Sequence, residues 1–374
     1  MKIIVSQEEL QNGLKIVERA TMVKGLQPVL ANVFIETVGA NIVKLKTTDF
    51  DLTMVTNITA KIEERGKVTV SARKLSDIIM KLGSKDLIEI EADENNLVKI
   101  KCGKSQFELV GIGAEEFPNV EEGPLDENMG YLNMELAPFV KAIKQASFAA
   151  ASFETNNLLS GVVCQVTNNM VEIASTDGNR LARAREVIDF KTDETKMLVL
   201  PSKTMQELVK FTSYTDEEFV KLYPEQGKIF IKTNNITMVS RLKEGQYPKY
   251  NQFIPQKTPK EAIVDIQKLV NSIEKASTMA DEKTGIVRFL FSKGTLTLKG
   301  NNNEMGKSQD EIDIEYTGDD LEIAFNFRLV LECLKNMYSK EVKIGLNEST
   351  TPTVLSPVTE DDFICLVMPC RLDV

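Results

Sequence analysis

The chain has 374 residues, 42% of them hydrophobic, a formal net charge of −10 and no histidine. That length supplies core for more than one domain, and the lack of imidazole removes the commonest general base and metal ligand. No apolar run reaches membrane-span length, residues 1–9 lack an extended apolar signal region, and the cysteines (Cys102, Cys164, Cys333, Cys365, Cys370) are odd in number without CxxC spacing, which argues against membrane insertion, secretion, a disulfide framework and a zinc site. A cytoplasmic protein with no metal or other cofactor is expected.

Taken in chain order, the predicted elements recur three times at a spacing of roughly 130 residues, a domain-sized period rather than a solenoid one. Each copy reads as a strand, a helix, two strands, a second helix and further strands. The copies open IIVSQEELQNGLKIVERA, YLNMELAPFVKAIKQAS and AIVDIQKLVNSIEKAS, with helix-face positions at Leu10, Leu14 and Val17, then Phe139, Ile143 and Ala146, then Leu269, Ile273 and Ala276. Ser6 and Asp265 are good N-caps there, and Glu135 a poorer one. Next come strands running into polar turns: NIVKLKTTDFDLTM from Asn41, NMVEIASTDGNRLA from Asn169 and GTLTLKGNNNEM from Gly294. VTVSARKLSDIIMKL, LVLPSKTMQELVKF and IAFNFRLVLECLKNM then supply a capped second helix in each copy. EEFPNV and GQYPKY close two copies alike, and linker-like turn composition places the joints near 124–131 and 253–262.

Charge is unevenly shared among these elements. The six helical segments sum to about +6, led by about +3 over 71–85, and the remainder to about −16. Helices facing one way and sheets the other would make one side basic and the opposite side acidic, although Lys and Arg are also ordinary residues of solvated helices. Catalytic candidates are thin. The lone GxG at Gly111 follows a strand without opening a helix, Asp177-Gly178 reads more simply as a β-turn, and the pairs Glu115 with Glu116 and Asp361 with Asp362 read as solvated faces or turns. A carboxylate- or cysteine-dependent enzyme on a repeated-domain scaffold stands as the other reading, resting on Asp177 or Cys365.

Together with the ordered repeats, the segments PVLANVFIE, LLSGVVCQV with STDGNRLA, GQYPKYNQFIP and LVMPCRL resemble the bacterial DNA polymerase III beta subunit family, the sliding clamps, across essentially the whole chain. The resemblance implies an α+β fold of three DNA-clamp-type domains, 1–128, 129–254 and 255–374, each with two helices on an antiparallel sheet, closing into a ring as a head-to-tail homodimer. It implies a non-catalytic processivity factor that encircles double-stranded DNA without sequence preference. Its partners would be the replicative DNA polymerase, a clamp loader and other proteins carrying a clamp-binding motif. DNA contacts would fall to Lys24, Arg73, Lys74, Lys81, Lys203, Lys210, Arg328 and Lys335, and the subunit interface to Phe107 and Leu109 meeting Thr278 and Met279.

The family's peptide groove maps onto Leu159, Thr176, Gly178, Arg180, Leu181, Pro248, Phe253, Asn326, Val354, Leu366, Val367, Met368, Pro369, Arg371 and Leu372. Its apolar members would seat the hydrophobic end of a short extended motif, while Arg180 and Arg371 would meet polar or carboxylate groups. Four departures from the family pattern bear on partners: Asn179 where histidine is frequent, Gln252 where arginine is common, Asn157 and Leu158 in place of aromatic or basic residues, and the extra Asp373-Val374.

Overall fold

The computed structural model describes residues 1–22, 27–83, 86–123, 132–152, 158–188, 196–359 and 362–371. The first joint expected from the sequence lies outside them, as do Lys24, Asn157, Asp361, Leu372, Asp373 and Val374. The first repeat runs β1 (Lys2–Ser6), α1 (Gln7–Val17), β2 (Asn32–Val38), β3 (Ile42–Thr48), β4 (Leu52–Thr59), β5 (Lys61–Glu64), β6 (Lys67–Ser71), α2 (Ala72–Ile79), β7 (Leu87–Ala92), β8 (Leu97–Cys102) and β9 (Ser105–Val110). The second runs β10 (Leu132–Glu135), α3 (Leu136–Ala146), β11 (Gly161–Thr167), β12 (Met170–Thr176), β13 (Arg180–Val187), β14 (Lys196–Pro201), α4 (Ser202–Val209), β15 (Phe219–Glu225), β16 (Lys228–Lys232) and β17 (Ile236–Arg241). The third runs β18 (Lys260–Asp265), α5 (Ile266–Ser277), β19 (Ile286–Ser292), β20 (Thr295–Asn302), β21 (Gly306–Asp313), β22 (Glu315–Tyr316), β23 (Leu321–Asn326), α6 (Phe327–Lys335), β24 (Glu341–Leu346), β25 (Thr353–Pro357) and β26 (Phe363–Val367).

The helices lie where the sequence places them. Every expected inward position from Leu10 to Ala276 is buried. Ser6 accepts from Glu9 N at 3.2 Å and Asp265 from Lys268 N at 2.9 Å, satisfying amides left free at the helix starts. The strand count differs. Four or five strands, not two, separate the helices of each repeat, because β5 and β22 are short, polar pieces without apolar alternation and β2 is buried along most of its length.

Two compact units result: Met1–Leu136 with Lys210–Leu242, and Ala137–Val209 with Lys243–Val374. The first holds a five-stranded sheet (β5-β1-β7-β8-β9) and an eight-stranded one (β10-β15-β16-β17-β4-β3-β2-β6). The second holds a nine-stranded sheet (β14-β11-β12-β13-β26-β25-β24-β18-β22) and a four-stranded one (β21-β20-β19-β23). In both large sheets, the last strand of one repeat pairs antiparallel with the strand that follows the central hairpin of the repeat before it: β17 with β4, and β26 with β13. Continuous hydrogen bonding through these seams explains why the compact units cut across the repeats. The two strands holding the same places without such a partner are β9 and β21, and each leaves one edge of its sheet unpaired among the described residues.

Candidate functional site

The groove residues sit in the second unit, around the seam of β13 and β26. A tight turn connects β12 to β13. Asp177 Oδ1 accepts from Asn179 N at 2.8 Å and Arg180 N at 3.0 Å, Thr176 Oγ1 donates to Arg180 O at 2.6 Å, and Gly178 N donates to Thr176 Oγ1 at 3.1 Å. Gly178 has φ +94°, a left-handed conformation that favours glycine, and it faces open space. Asp177 therefore builds the turn expected of it, with its carboxylate spent on backbone amides. Met368 N donates to Asn179 O at 2.9 Å, which ties the end of β26 to the turn.

Beneath the turn lies an apolar cluster of Val163, Ala174, Leu181, Val199, Tyr247, Tyr250 and Leu366, with Leu158, Leu159, Ile254, Val354 and Ile364 half-buried against it. Of the expected groove members, Leu181, Leu366 and Val367 are buried, Leu159, Val354 and Pro369 half-buried, and Pro248, Phe253 and Met368 exposed. Met368 at 41% and Phe253 at 61% exposure are the large apolar side chains left open beside this cluster.

Some expected members serve other ends. Arg180 is bound internally: Nε donates to Asp177 at 3.1 Å, Nη1 to Glu332, Nη2 to Phe148 O at 3.0 Å, and the guanidinium stacks 5.3 Å from the Phe148 ring. It braces the turn and α6, and its donors are directed inward. Asn326 caps α6, its side chain accepting from Arg328 N at 3.0 Å. Arg371 lines a polar hollow on the four-stranded sheet.

Sequence reasoning passed over the two tyrosines of GQYPKY. Tyr247 OH accepts from Thr176 N at 3.2 Å and donates to Gly161 O at 3.4 Å, and burial pushes its pKa up to about 12. Tyr250 lies edge-on to it at 6.3 Å and donates to Glu172, which also accepts from Arg185 Nε at 2.5 Å. Burial raises the Tyr250 pKa further, helped by that carboxylate. The run was visible, but the partners lie 71 and 78 residues away in sequence.

Cys333 and Cys365 form a disulfide between α6 and β26, a pairing that the odd cysteine count without CxxC spacing argues against. Their 32-residue separation hid the pairing, which arises because β26 lies against α6. Burial pushes the Cys164 thiol up to about 12 and also raises Cys102 and Cys370. None of these is an activated nucleophile.

The expected DNA contacts fall on or just after the second helices. Arg73, Lys203 and Arg328 each occupy the second residue of their helix. The helix dipole disfavours cations there, so a repeat of the pattern in three helices has a source other than local stability. Arg73, Lys74, Lys81, Arg328 and Lys335 are exposed, while Lys203 and Lys210 are half-buried. Arg328 also donates to Glu282 O at 3.0 Å. Phe107 and Leu109 lie opposite Ile100 and Val98, both buried, so they carry the core-facing side of that sheet out to its free edge. Met279 is half-buried just past α5, and Thr278 is its exposed C-cap.

The turn recurs in the first unit. Asp49 Oδ1 accepts from Asp51 N at 3.1 Å and Leu52 N at 2.7 Å, Phe50 N donates to Thr48 Oγ1 at 3.1 Å, and Arg241 N donates to Asp51 O at 2.9 Å. Phe50 takes the place of Gly178 with φ +73°.

Three α+β repeats joined through continuous sheets, with an apolar cluster beneath the turn at the second seam, define a clamp-type architecture. Comparison with known proteins gives the family. Models of the DNA polymerase III beta subunit match its N-terminal domain to residues 1–121, its central domain to 133–249 and its C-terminal domain to 251–371. The beta sliding clamp of Synechococcus elongatus is 31% identical over the full length of both chains, and that of Pseudomonas putida likewise 31%. A structure of the Pseudomonas aeruginosa beta subunit bound to griselimycin superposes with TM-score 0.93 at 29% identity, covering both chains completely, and that from Bacillus subtilis with 0.91 at 25%, covering 100% of this chain and 99% of that one. The chain belongs to the bacterial DNA polymerase III beta subunit family, the beta sliding clamps.

Proposed function

We propose that the protein is a DNA sliding clamp: two copies join head to tail, encircle duplex DNA and tether the replicative polymerase and other motif-bearing proteins through the groove at β13 and β26. The observation that carries this reading is the strand pairing. Each internal seam joins the last strand of one repeat to the strand that follows the central hairpin of the repeat before it, and β9 and β21 are the pair left without that seam. A second copy supplies the missing partner to each, giving a heterologous contact that repeats until it closes and leaves few free edges.

Three domains, 1–128, 129–254 and 255–374, follow the repeats. Phe107 and Leu109 of one copy would meet Thr278 and Met279 of the next, extending the core across the boundary. Thr278 offers less apolar surface than a leucine or isoleucine would. Retention on DNA is topological, so the basic residues Lys24, Arg73, Lys74, Lys81, Lys203, Lys210, Arg328 and Lys335 need give only weak, sequence-independent attraction to phosphates. The work is non-catalytic, requires no cofactor and depends on a clamp loader to open the ring in the cytoplasm.

The test is retention. Protein loaded on nicked circular DNA by a loader should stay bound through gel filtration and be released when the circle is linearised. Protein that remains bound to the linear form would overturn the reading.

A further inference from the structure

The four-stranded sheet of the second unit carries a feature unexplained by the groove or the helices. Its strands alternate. Val287, Phe289, Leu296 and Leu298 are buried, and Ser308 Oγ donates to Ala276 O of α5 at 2.7 Å, so this face packs on the helix. Arg288, Lys299 and Lys307 stand on the opposite face at the alternate positions. Together with Arg371 they line an open hollow of about 710 Å³.

Arg288 and Lys299 lie directly across from one another on β19 and β20, and like charges so placed cost stability. Arg288 has Glu322 at 3.2 Å, whereas Lys299, Lys307 and Arg371 have no ion-pair partner among the described residues. Asp281, the one carboxylate in the lining, is committed to its own loop. Its Oδ1 accepts from Thr284 N at 2.8 Å and Lys283 N at 3.2 Å. A local excess of cations on a chain of net charge −10 marks a place prepared for an anion.

We propose that this hollow is a binding site for an acidic stretch of a partner protein. The face opposite the helices favours protein over DNA, since the helices carry the repeated cations suited to phosphates. Its position favours a partner already on the groove. Cys370 N donates to Ala324 O at 2.8 Å, so the tail that leaves β26 past Met368 runs onto the same sheet and delivers Arg371 to the hollow. A peptide seated at Met368 can continue along this path, its carboxylates meeting Lys299 and Lys307 at the far end.

The site can be tested without relying on the groove or the ring. Fluorescein-labelled hexaglutamate is titrated with the intact protein at about 50 mM salt, where exposed charges are weakly screened. Saturable binding is expected, weakened at least tenfold by Lys299→Glu with Lys307→Glu. It should be unchanged by Lys101→Glu with Lys104→Glu in the first unit and by the charge-neutral Met368→Ala in the groove. Equal binding by the Lys299 and Lys307 double variant would overturn the proposal. So would a single-stranded thymidine oligonucleotide that loses affinity through that variant while hexaglutamate fails to bind. Weakened binding of a groove peptide by Met368→Ala with hexaglutamate binding retained would support two separate surfaces, and loss of both together would overturn the proposal.

Discussion

Tyr247→Phe isolates the contact that holds the groove turn on its apolar floor. Tyr247 is 4% exposed, and its hydroxyl joins Thr176 N at 3.2 Å to Gly161 O at 3.4 Å. Removing it leaves two backbone groups unpaired. Such groups cost about 1–3 kcal/mol, and the length of these bonds favours the lower half, about 1–2 kcal/mol. The edge-on contact with Tyr250 remains, so the loss is one of hydrogen bonding. The raised pKa gives the effect a pH signature. A tyrosine with a folded pKa of about 12 and an unfolded one of about 10 stabilises fully below pH 10, and that contribution disappears as pH rises through the folded value. At pH about 11 the wild type has lost about 1.4 kcal/mol that the phenylalanine variant never had. Urea unfolding of both proteins, followed by circular dichroism, should show the variant weaker by about 1–2 kcal/mol near pH 8 and the two converging near pH 11. All other ionisable groups are common to the two proteins and cancel in the difference. Equal stabilities at pH 8, or a gap that widens above pH 10, would refute the reasoning.

Met368→Lys puts a charge at the groove mouth and should weaken binding of a clamp-motif peptide by several kcal/mol at most, leaving the dimer intact; unchanged calorimetric titrations would show that the groove lies elsewhere. Leu109→Asp sets a carboxylate on the core-facing edge of β9 and should yield monomers in sedimentation at micromolar concentration; a persistent dimer would remove this edge from the interface. Replacing Arg73 by Gln should raise thermal stability slightly, since it relieves about 0.3–1 kcal/mol of dipole conflict, while replacing Lys203 and Arg328 as well also removes the Arg328 bond to Glu282 O and offsets that gain. The triple variant should bind DNA more weakly, with a salt dependence flatter by about 0.9 per lost phosphate contact, and an unchanged salt dependence would mean these cations serve another purpose.

Local signals in the sequence proved reliable. The i, i+4, i+7 apolar positions located three helix faces, Ser6 and Asp265 located two starts, and TDGNR announced a turn built by its own side chains. These features depend on residues within a few positions of one another. Less legible were arrangements made by distant strands. The sequence shows Arg180 as a free cation, because Phe148 and Glu332 reach it only after β13 is in place. The Cys333–Cys365 bond and the Tyr250–Glu172–Arg185 cluster are hidden for the same reason. Which edges stay open is a property of the pairing list. Nothing local distinguishes β9 from β17 until the seams are seen.

The same contrast explains why a shared scaffold yields unlike surfaces in the two units. Both turns use an aspartate to gather the next backbone amides, and both are tied to the last strand of the following repeat by one amide, from Met368 or Arg241. The hydrogen bonds are therefore common property, and the seat beneath them makes the difference. Val163 stands beside Tyr247 in one, with Leu158 and Leu159 left half-buried at the surface. At the matching strand position Phe34 packs 5.2 Å from Phe117 in the other, and Val29 and Leu30 are buried. The extra ring fills the place beside Phe117 with the protein's own side chain. Arg241 replaces the adaptable Met368, and Phe50 puts a phenyl where Gly178 leaves open space. A hollow of about 210 Å³ remains at the first seam, but Asp51, Glu121, Lys228 and Arg241 line it, whereas the cluster at the second seam contains no charged side chain, so the two seams differ in the chemistry of the seat and not in the backbone turn above it.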